Sequence, residues 1–205
     1  MKTISVKATV TDDGKTIFMA SNVQISYPRV WEAEVKGGST YHKGCTIMFD
    51  KSKPETAAAV KIIQDHIDAL VVSEFNGQAL AADKVCLKDG DLPGAKARYA
   101  GHWYMSANQS NGNIVVFTPG GHAAMTRAEY DVLPDHHKLT DGAIASVKFQ
   151  LWCQNNKFGK RVNGECLAMR WADIGGQLVS DSTIATETLA EGFADEEVEG
   201  SSDDW

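Results

Sequence analysis

A mainly β fold, closed into a small barrel and carrying a single long helix, is what this sequence predicts. Three observations point there. At least five segments alternate apolar and polar residues with a period of two, the mark of strands with one buried face. Only one long stretch carries helical spacing. Strands and helices do not alternate along the chain, which argues against a doubly wound parallel sheet. The 205 residues, 43% hydrophobic and 23% charged, suffice for one sizeable core and exclude a wholly disordered or collagen-like chain.

Taken in order, residues 1–15 read as a short lead-in strand and a turn at Asp12-Asp13-Gly14. Residues 16–26 read as a strand that Tyr27-Pro28 stops, because proline has no ladder donor. Gly37-Gly38 makes a turn, and Thr40 to Phe49 is the next strand. Ser52-x-x-Glu55 has the form of a capping box, with Pro54 in the tolerated first turn. Val60, Ile63, Ile67, Leu70 and Val71 then share one helical face, and Asn76-Gly77 ends the helix. Residues 83–95 are loop-like. Arg98 to Asn108 reads as a strand, with Asn111-Gly112 as a hairpin turn into Asn113–Thr118. Residues 119–142 are irregular, with a short helix capped by Thr126-x-x-Glu129 and stopped by Pro134. Ala143 to Gln154 is a strong strand, Lys157 to Gly164 a basic turn, and Glu165 to Ile174 the last strand.

This set fits an OB-fold-like five-stranded barrel with one amphipathic helix at about 53–75 and a disordered acidic C-terminal tail. The barrel domain occupies 1–180 and the tail 181–205. No apolar run approaches the roughly 18 residues of a membrane span. The alternating start Met1-Lys2-Thr3-Ile4-Ser5 lacks a signal-peptide core, so the cytoplasm is the expected compartment, the host cell's if the protein is viral.

The net charge of −7 is unevenly placed. Glu187, Glu191, Asp195, Glu196, Glu197, Glu199, Asp203 and Asp204 lie in the last 19 residues, which contain no Lys or Arg. Taking those eight from 27 acids leaves 19 against 20 bases, so residues 1–186 carry +1. The negative charge is a tail, and it ends in Trp205. Such a segment cannot bury enough apolar surface to fold alone. Its carboxylates imitate phosphates and its indole imitates a base.

Cys45, Cys86, Cys153 and Cys166 form no C-x-x-C pair and read as free thiols. His42-x-x-Cys45 has ligand-like spacing but no second pair nearby, so neither a metal nor a cofactor is expected. Signatures of hydrolases, P-loops, zincins and dinucleotide binding are absent. His136-His137 reads as a solvated loop pair.

The candidate binding residues lie on strand faces. In the Ala143–Gln154 strand, the polar face holds Lys148, Gln150, Trp152 and Gln154, which sets an indole beside a cation. That suits a base-stacking platform next to a phosphate contact. Arg98, His102 and Tyr104 share one face of the Arg98–Asn108 strand. Lys157-Phe158-Gly159-Lys160-Arg161 puts three cations and an aromatic at a hairpin tip. Tyr27, Arg29 and Trp31 make a smaller cluster around Pro28.

Ser26-Tyr27-Pro28-Arg29-Val30-Trp31-Glu32, Leu87-Lys88-Asp89-Gly90-Asp91, the run from Tyr99 to Asn108, Val147–Val162 and the tail recur in an order that resembles the bacteriophage single-stranded DNA-binding proteins. Gln154 stands where that family often has a second aromatic, Phe158 where it often has Gly, and residues 119–142 are an insertion. The resemblance implies an OB-fold core and sequence-tolerant coating of single-stranded DNA in phage replication and recombination, without catalysis. It maps DNA contacts onto His102, Tyr104, Lys148, Trp152 and the Lys157–Arg161 turn; with Arg98 and Gln150 from the strand faces, the candidate DNA-binding set is Arg98, His102, Tyr104, Lys148, Gln150, Trp152, Lys157, Phe158, Lys160 and Arg161. It also implies that the tail, with Glu196, Glu197, Glu199, Asp203, Asp204 and Trp205, contacts a phage or host DNA polymerase and a helicase; from its charge and its indole, the tail is also expected to compete for the DNA groove. A monomer or a homodimer fits equally. Two other readings stand beside this one: a magnesium-dependent nuclease using Asp89 and Asp91, and a protein-binding or virion structural domain without DNA affinity.

Overall fold

The computed structural model describes residues 3–175 and residue 178. The tail residues named above lie outside them. Ten strands and two helices follow in order: β1 (Ser5–Val10), β2 (Thr16–Arg29), β3 (Glu34–Lys36), β4 (Ser39–Tyr41), β5 (Lys43–Asp50), α1 (Thr56–Phe75), β6 (Leu87–Asp89), β7 (His102–Gln109), β8 (Val115–Phe117), α2 (Arg127–Asp131), β9 (Ile144–Asn156) and β10 (Gly159–Asp173). None of the helices described is long and apolar enough to cross a membrane.

Five of the strands close a barrel. Antiparallel pairing runs β7–β5–β2–β9–β10, and β10 returns to β7 in parallel. With β2, β5, β7, β9 and β10 taken as strands one to five, the circuit is 1-2-3-5-4-1, the OB-fold order. Alternation fills the interior. Phe18, Ala20, Val23 and Ile25 of β2, Cys45, Ile47 and Phe49 of β5, Met105 and Ala107 of β7, and Ala145, Val147, Phe149 and Leu151 of β9 are all buried. Phe18 stacks on Phe149 at 5.2 Å between ring centroids, and burial of each ring contributes about 1.5–3 kcal/mol.

Helix α1 supplies Ala59, Val60, Ile63, Ile67 and Phe75 to the same core, and its His66 meets the Phe18 ring edge-on. It ends where the spacing predicts, at Asn76 in the left-handed conformation, with Gly77 N–H donating to Val71 O at 3.0 Å. Its start differs. The helix begins at Thr56 instead of about 53, and no side-chain cap bond forms at Glu55. The Asp50 carboxylate accepts Ser52 N–H and the Asp50 carbonyl accepts the Thr56 hydroxyl, so Ser52 is held in the preceding turn.

Other boundaries also move. Tyr27-Pro28 does not end β2 but forms a bulge between Ser26 and Arg29, with Tyr27 at φ 50°. The expected strand at Thr40–Phe49 is divided into β4 and β5, and β3–β4 is a separate hairpin around Gly37-Gly38. Arg98 is not on a strand. Ala97–Tyr99 is a 3-10 turn, and β7 starts at His102. Asn111-Gly112 turns, its N–H groups donating to Gln109 Oε1, but no hairpin follows, because β8 pairs in parallel with β10 and not with β7. The short helix α2 carries the expected Thr126/Glu129 capping box. The basic turn shrinks to Lys157-Phe158, since β9 runs to Asn156 and β10 begins at Gly159.

Candidate nucleic-acid interface

The registers set one outward residue from each barrel strand in a line. Ser26 of β2 pairs with Thr46 of β5, and Thr46 with Ser106 of β7. The parallel register that sets Gly164 beside Ala107 puts Asn163 of β10 level with Ser106, and Asn163 faces Trp152 of β9. Four inter-strand steps make this line about 19 Å long.

The line is roofed at one end and open at the other. Ser26 and Thr46 are buried, whereas Ser106 is exposed and Trp152 is 43% exposed. The roof is the turn around Arg98. The Arg98 guanidinium, itself buried, donates to Ser26 Oγ at 2.8 Å and to the Asp141 carboxylate at 3.2 and 3.3 Å. Tyr27 N–H donates to the same carboxylate at 2.8 Å. The Tyr27 ring lies 4.1 Å from Arg98 and 4.9 Å from Lys96 Nζ. Tyr99 stacks on Tyr104 at 4.0 Å, so one face of Tyr104 is already covered. Burial pushes the Tyr104 hydroxyl pKa up.

At the open end the β9–β10 hairpin presents Lys148, Trp152, Gln154 and Arg161 outward, with Arg161 opposite Gln154. Gln150 shares this face, but its amide donates to the Glu165 carboxylate, which interrupts the basic character between Lys148 and Trp152. At the tip Phe158 is 72% exposed, with Lys157 Nζ 5.1 Å from its ring centre. Lys160 parts company with its neighbours. It pairs with Asn155, turns to the opposite face, donates to Gln78 Oε1 at 2.6 Å and sits over Phe75 of α1.

The expected residues therefore fall into groups. Lys148, Trp152, Lys157, Phe158 and Arg161 share the hairpin's outward surface. His102 and Tyr104 lie on the outward face of β7, with His102 Nδ1 within 2.8 Å of Ala100 O. Arg98 is a buried strut beneath Tyr27, and Lys160 faces α1. The Pro28 cluster divides too. Arg29 lies over Tyr41 and donates to His42 O, while Trp31 turns inward against Tyr130.

Sequence reading missed Lys84, Lys88, Ser106 and Asn163, which line a cleft beside the row. The outward alternation of β7 was enough to find Ser106; no local signal marks the other three.

Asp89 and Asp91 do converge, but on a cation. Lys51 Nζ pairs with both carboxylates, at 2.6 Å for Asp91, and the two also accept the N–H groups of Asp91 and Gly101. The Lys51 hydrogen bond holds both carboxyls below the usual range. Among the described residues, no three His, Cys, Asp or Glu side chains gather as a metal site. Cys45 is buried against Cys166 inside the barrel, away from any ligand set with His42.

Barrel order and closure together define an OB-fold protein. The chain belongs to the family described as Enterobacter phage Enc34, ssDNA-binding protein, whose model matches residues 16–200. None of the curated proteins matches it. Among solved structures it is similar to the single-stranded DNA-binding protein from bacteriophage Enc34, at 19% identity, TM-score 0.67, over 92% of this chain and 99% of that one. The same protein in complex with ssDNA gives 21% identity and TM-score 0.67 over 88% and 100%. Gp2.5, a single-stranded DNA-binding protein encoded by bacteriophage T7, gives 16% identity and TM-score 0.50 over 91% and 97%. At these identities the structural likenesses establish the fold.

Proposed function

We propose that this protein binds single-stranded DNA without sequence preference and without chemistry, coating it during phage replication and recombination in the host cytoplasm. The observation that carries this reading is the open end of the outward row. There an exposed Trp152 stands on one sheet face with Lys148 and Arg161, and Phe158 and Lys157 extend the surface at the tip. Every base has a face to stack and every nucleotide a phosphate, so aromatic platforms between cations bind strands of any sequence. His102 and Tyr104 continue the path across β7. Family membership supports the same reading, as does the fold of the Enc34 protein solved with ssDNA.

On this reading the acidic tail competes with the strand. Glu196, Glu197, Glu199, Asp203, Asp204 and Trp205 offer carboxylates and an indole to the same cations and platform, and when displaced they are free to engage a polymerase and a helicase.

Titration of oligo-dT against tryptophan fluorescence tests the function. With about four phosphates neutralised, log K falls against log salt with a slope of about −3. Salt-independent binding, or none, overturns it. Removal of residues 187–205 raises the affinity; an unchanged affinity removes the competition model alone.

A further inference from the structure

The barrel closes at a narrow seam. Among the described residues, β7 and β10 share a single ladder pair, Ala107 and Gly164. Glycine is required there, because a Cβ at position 164 would stand 2.7 Å from Ser106 O. Beyond that point the two strands part, and β6 becomes the neighbour of β7, pairing Lys88 with Tyr104. The chain just before β6 touches β10 again through an isolated bridge from Val85 to Val162. Between these contacts lies a cleft of about 170 Å³.

Its lining has a consistent chemistry. Lys84, Lys88 and Arg161 border it, opposed only by Asp83. Asp83 pairs with Lys84 at 3.1 Å, an exposed contact that leaves Lys84 available. Lys88 and Arg161 make no ion pair among the described residues. Asn163 also lines the cleft, and its Nδ2 is buried without a hydrogen-bond partner among the described residues. A buried amide donor left unmade is costly, so the Asn163 N–H favours an acceptor at this place. Three cations and an unused N–H donor form the donor set of an oxyanion. The volume is below the 300 Å³ or so of a pocket for a whole small-molecule ligand. It suits one charged group on a chain that continues beyond it.

The surroundings say which chain. Asn163 faces Trp152 across the β9–β10 ladder, and Lys88 faces Tyr104 across β6–β7. The cleft thus lies between the exposed indole and the Tyr99–Tyr104 stack. We propose that the β7–β10 seam is a phosphodiester-binding cleft, in which Lys84, Lys88, Arg161 and the Asn163 amide hold one backbone phosphate of a bound DNA strand between two aromatic stations. This rests on the strand-binding reading above and adds to it a site, with two lysines and an asparagine that strand alternation alone does not single out.

The test is oligo-dT titration of the full chain over a range of salt, with Lys84→Gln/Lys88→Gln, Lys88→Arg and Asn163→Ala beside wild type and thermal melts as the check on folding. The double variant should bind at least about tenfold more weakly at low salt, with a slope shallower by up to about 0.7, the contribution of the one phosphate the cleft holds on a single strand. Lys88→Arg keeps the charge and should keep the slope. Asn163→Ala should lose affinity with the slope unchanged. Wild-type affinity and slope in the double variant, at an unchanged melting temperature, overturn the cleft while leaving strand binding intact. If wild type itself fails to bind oligo-dT, the functional reading falls and this inference with it. The Asn163 side-chain amide resonance separates the two sources of phosphate. It should shift on adding oligo-dT; a shift with inorganic phosphate alone, or with neither, overturns the assignment to the strand.

Discussion

Trp152 of β9 stands across the ladder from Asn163 of β10, both on the outward sheet face, one 43% exposed and the other with a buried amide nitrogen lacking a partner. An apolar platform and an unused donor side by side meet the two needs of a nucleotide, a surface for its base and a donor for its phosphate. Trp152→Ala should therefore weaken oligo-dT binding by about 1–3 kcal/mol, roughly 5- to 150-fold. Its exposure predicts a stability change within about 0.5 kcal/mol. Isothermal titration read beside urea denaturation checks both, and a large stability loss would show that the ring is structural.

Gly164→Ala tests the seam. The added Cβ meets a backbone oxygen, which cannot swing aside as a side chain can. Pushing β10 from β7 at their one ladder pair should cost about 1–3 kcal/mol, the range for overpacking a closed core. A lower urea midpoint with an unchanged m-value is the expected readout. An unshifted midpoint would mean that the seam is looser than its geometry.

The Lys51–Asp89–Asp91 cluster makes stability depend on pH. The Asp89 carboxyl is held low first by the Lys51 hydrogen bond and then by Asp91 N–H. A carboxyl depressed in the folded state stabilises fully above its unfolded value near pH 4, and that contribution is lost as pH falls through the folded value. Wild type should lose stability on acidification below about pH 4. Lys51→Met should be less stable at pH 7, by about 1 kcal/mol for a pair still partly open to solvent, and should show a flatter acid limb. Denaturation midpoints from pH 7 down to about pH 2.5 decide it; parallel curves would remove the linkage.

What was readable in the chain followed from local physics. Ala145, Val147, Phe149 and Leu151 alternate with Lys148, Gln150 and Trp152, and the strand, its faces and its exposed indole all follow from that pattern. Val60, Ile63 and Ile67 do the same for α1. The unreadable parts depend on distant partners. Tyr27 bulges instead of ending β2 because Asp141, 114 residues away, takes its N–H. The same carboxylate draws Arg98 out of solvent. Asn111-Gly112 makes no hairpin because β10 claims β8. Lys84 and Lys88 fall in the stretch 83–95 that reads as loop, and they line one cleft with Arg161 only because Val85 bridges to Val162 of β10.

The thiols give a further test. Burial pushes the Cys86 pKa to about 12, and Cys45, hydrogen-bonded to Cys166 and buried, is pushed well up. Since the thiolate is the nucleophile, neither should react measurably with an aromatic disulfide reagent at pH 8 in the native state, and both should react at once in denaturant. Fast native labelling of Cys45 would show that the closed barrel opens in the native state.

Lys160 and Arg161 are adjacent in sequence and opposite in space, which makes them a matched pair of probes. Arg161 points outward beside Gln154, into the proposed strand path. Lys160 points to α1, where it donates to Gln78 and covers Phe75. Neutralising either removes one positive charge from the same short stretch, so a long-range electrostatic effect on DNA would be nearly the same for both. A contact effect would not. Arg161→Gln should lower oligo-dT affinity and make the salt slope shallower by up to about 0.7, with little change in stability. Lys160→Gln should leave the slope nearly unchanged and lower stability by up to about 1 kcal/mol, through the lost hydrogen bond and ring contact. Equal losses of affinity in the two variants would mean that the strand is attracted to the hairpin's charge as a whole and is not held on its outward face.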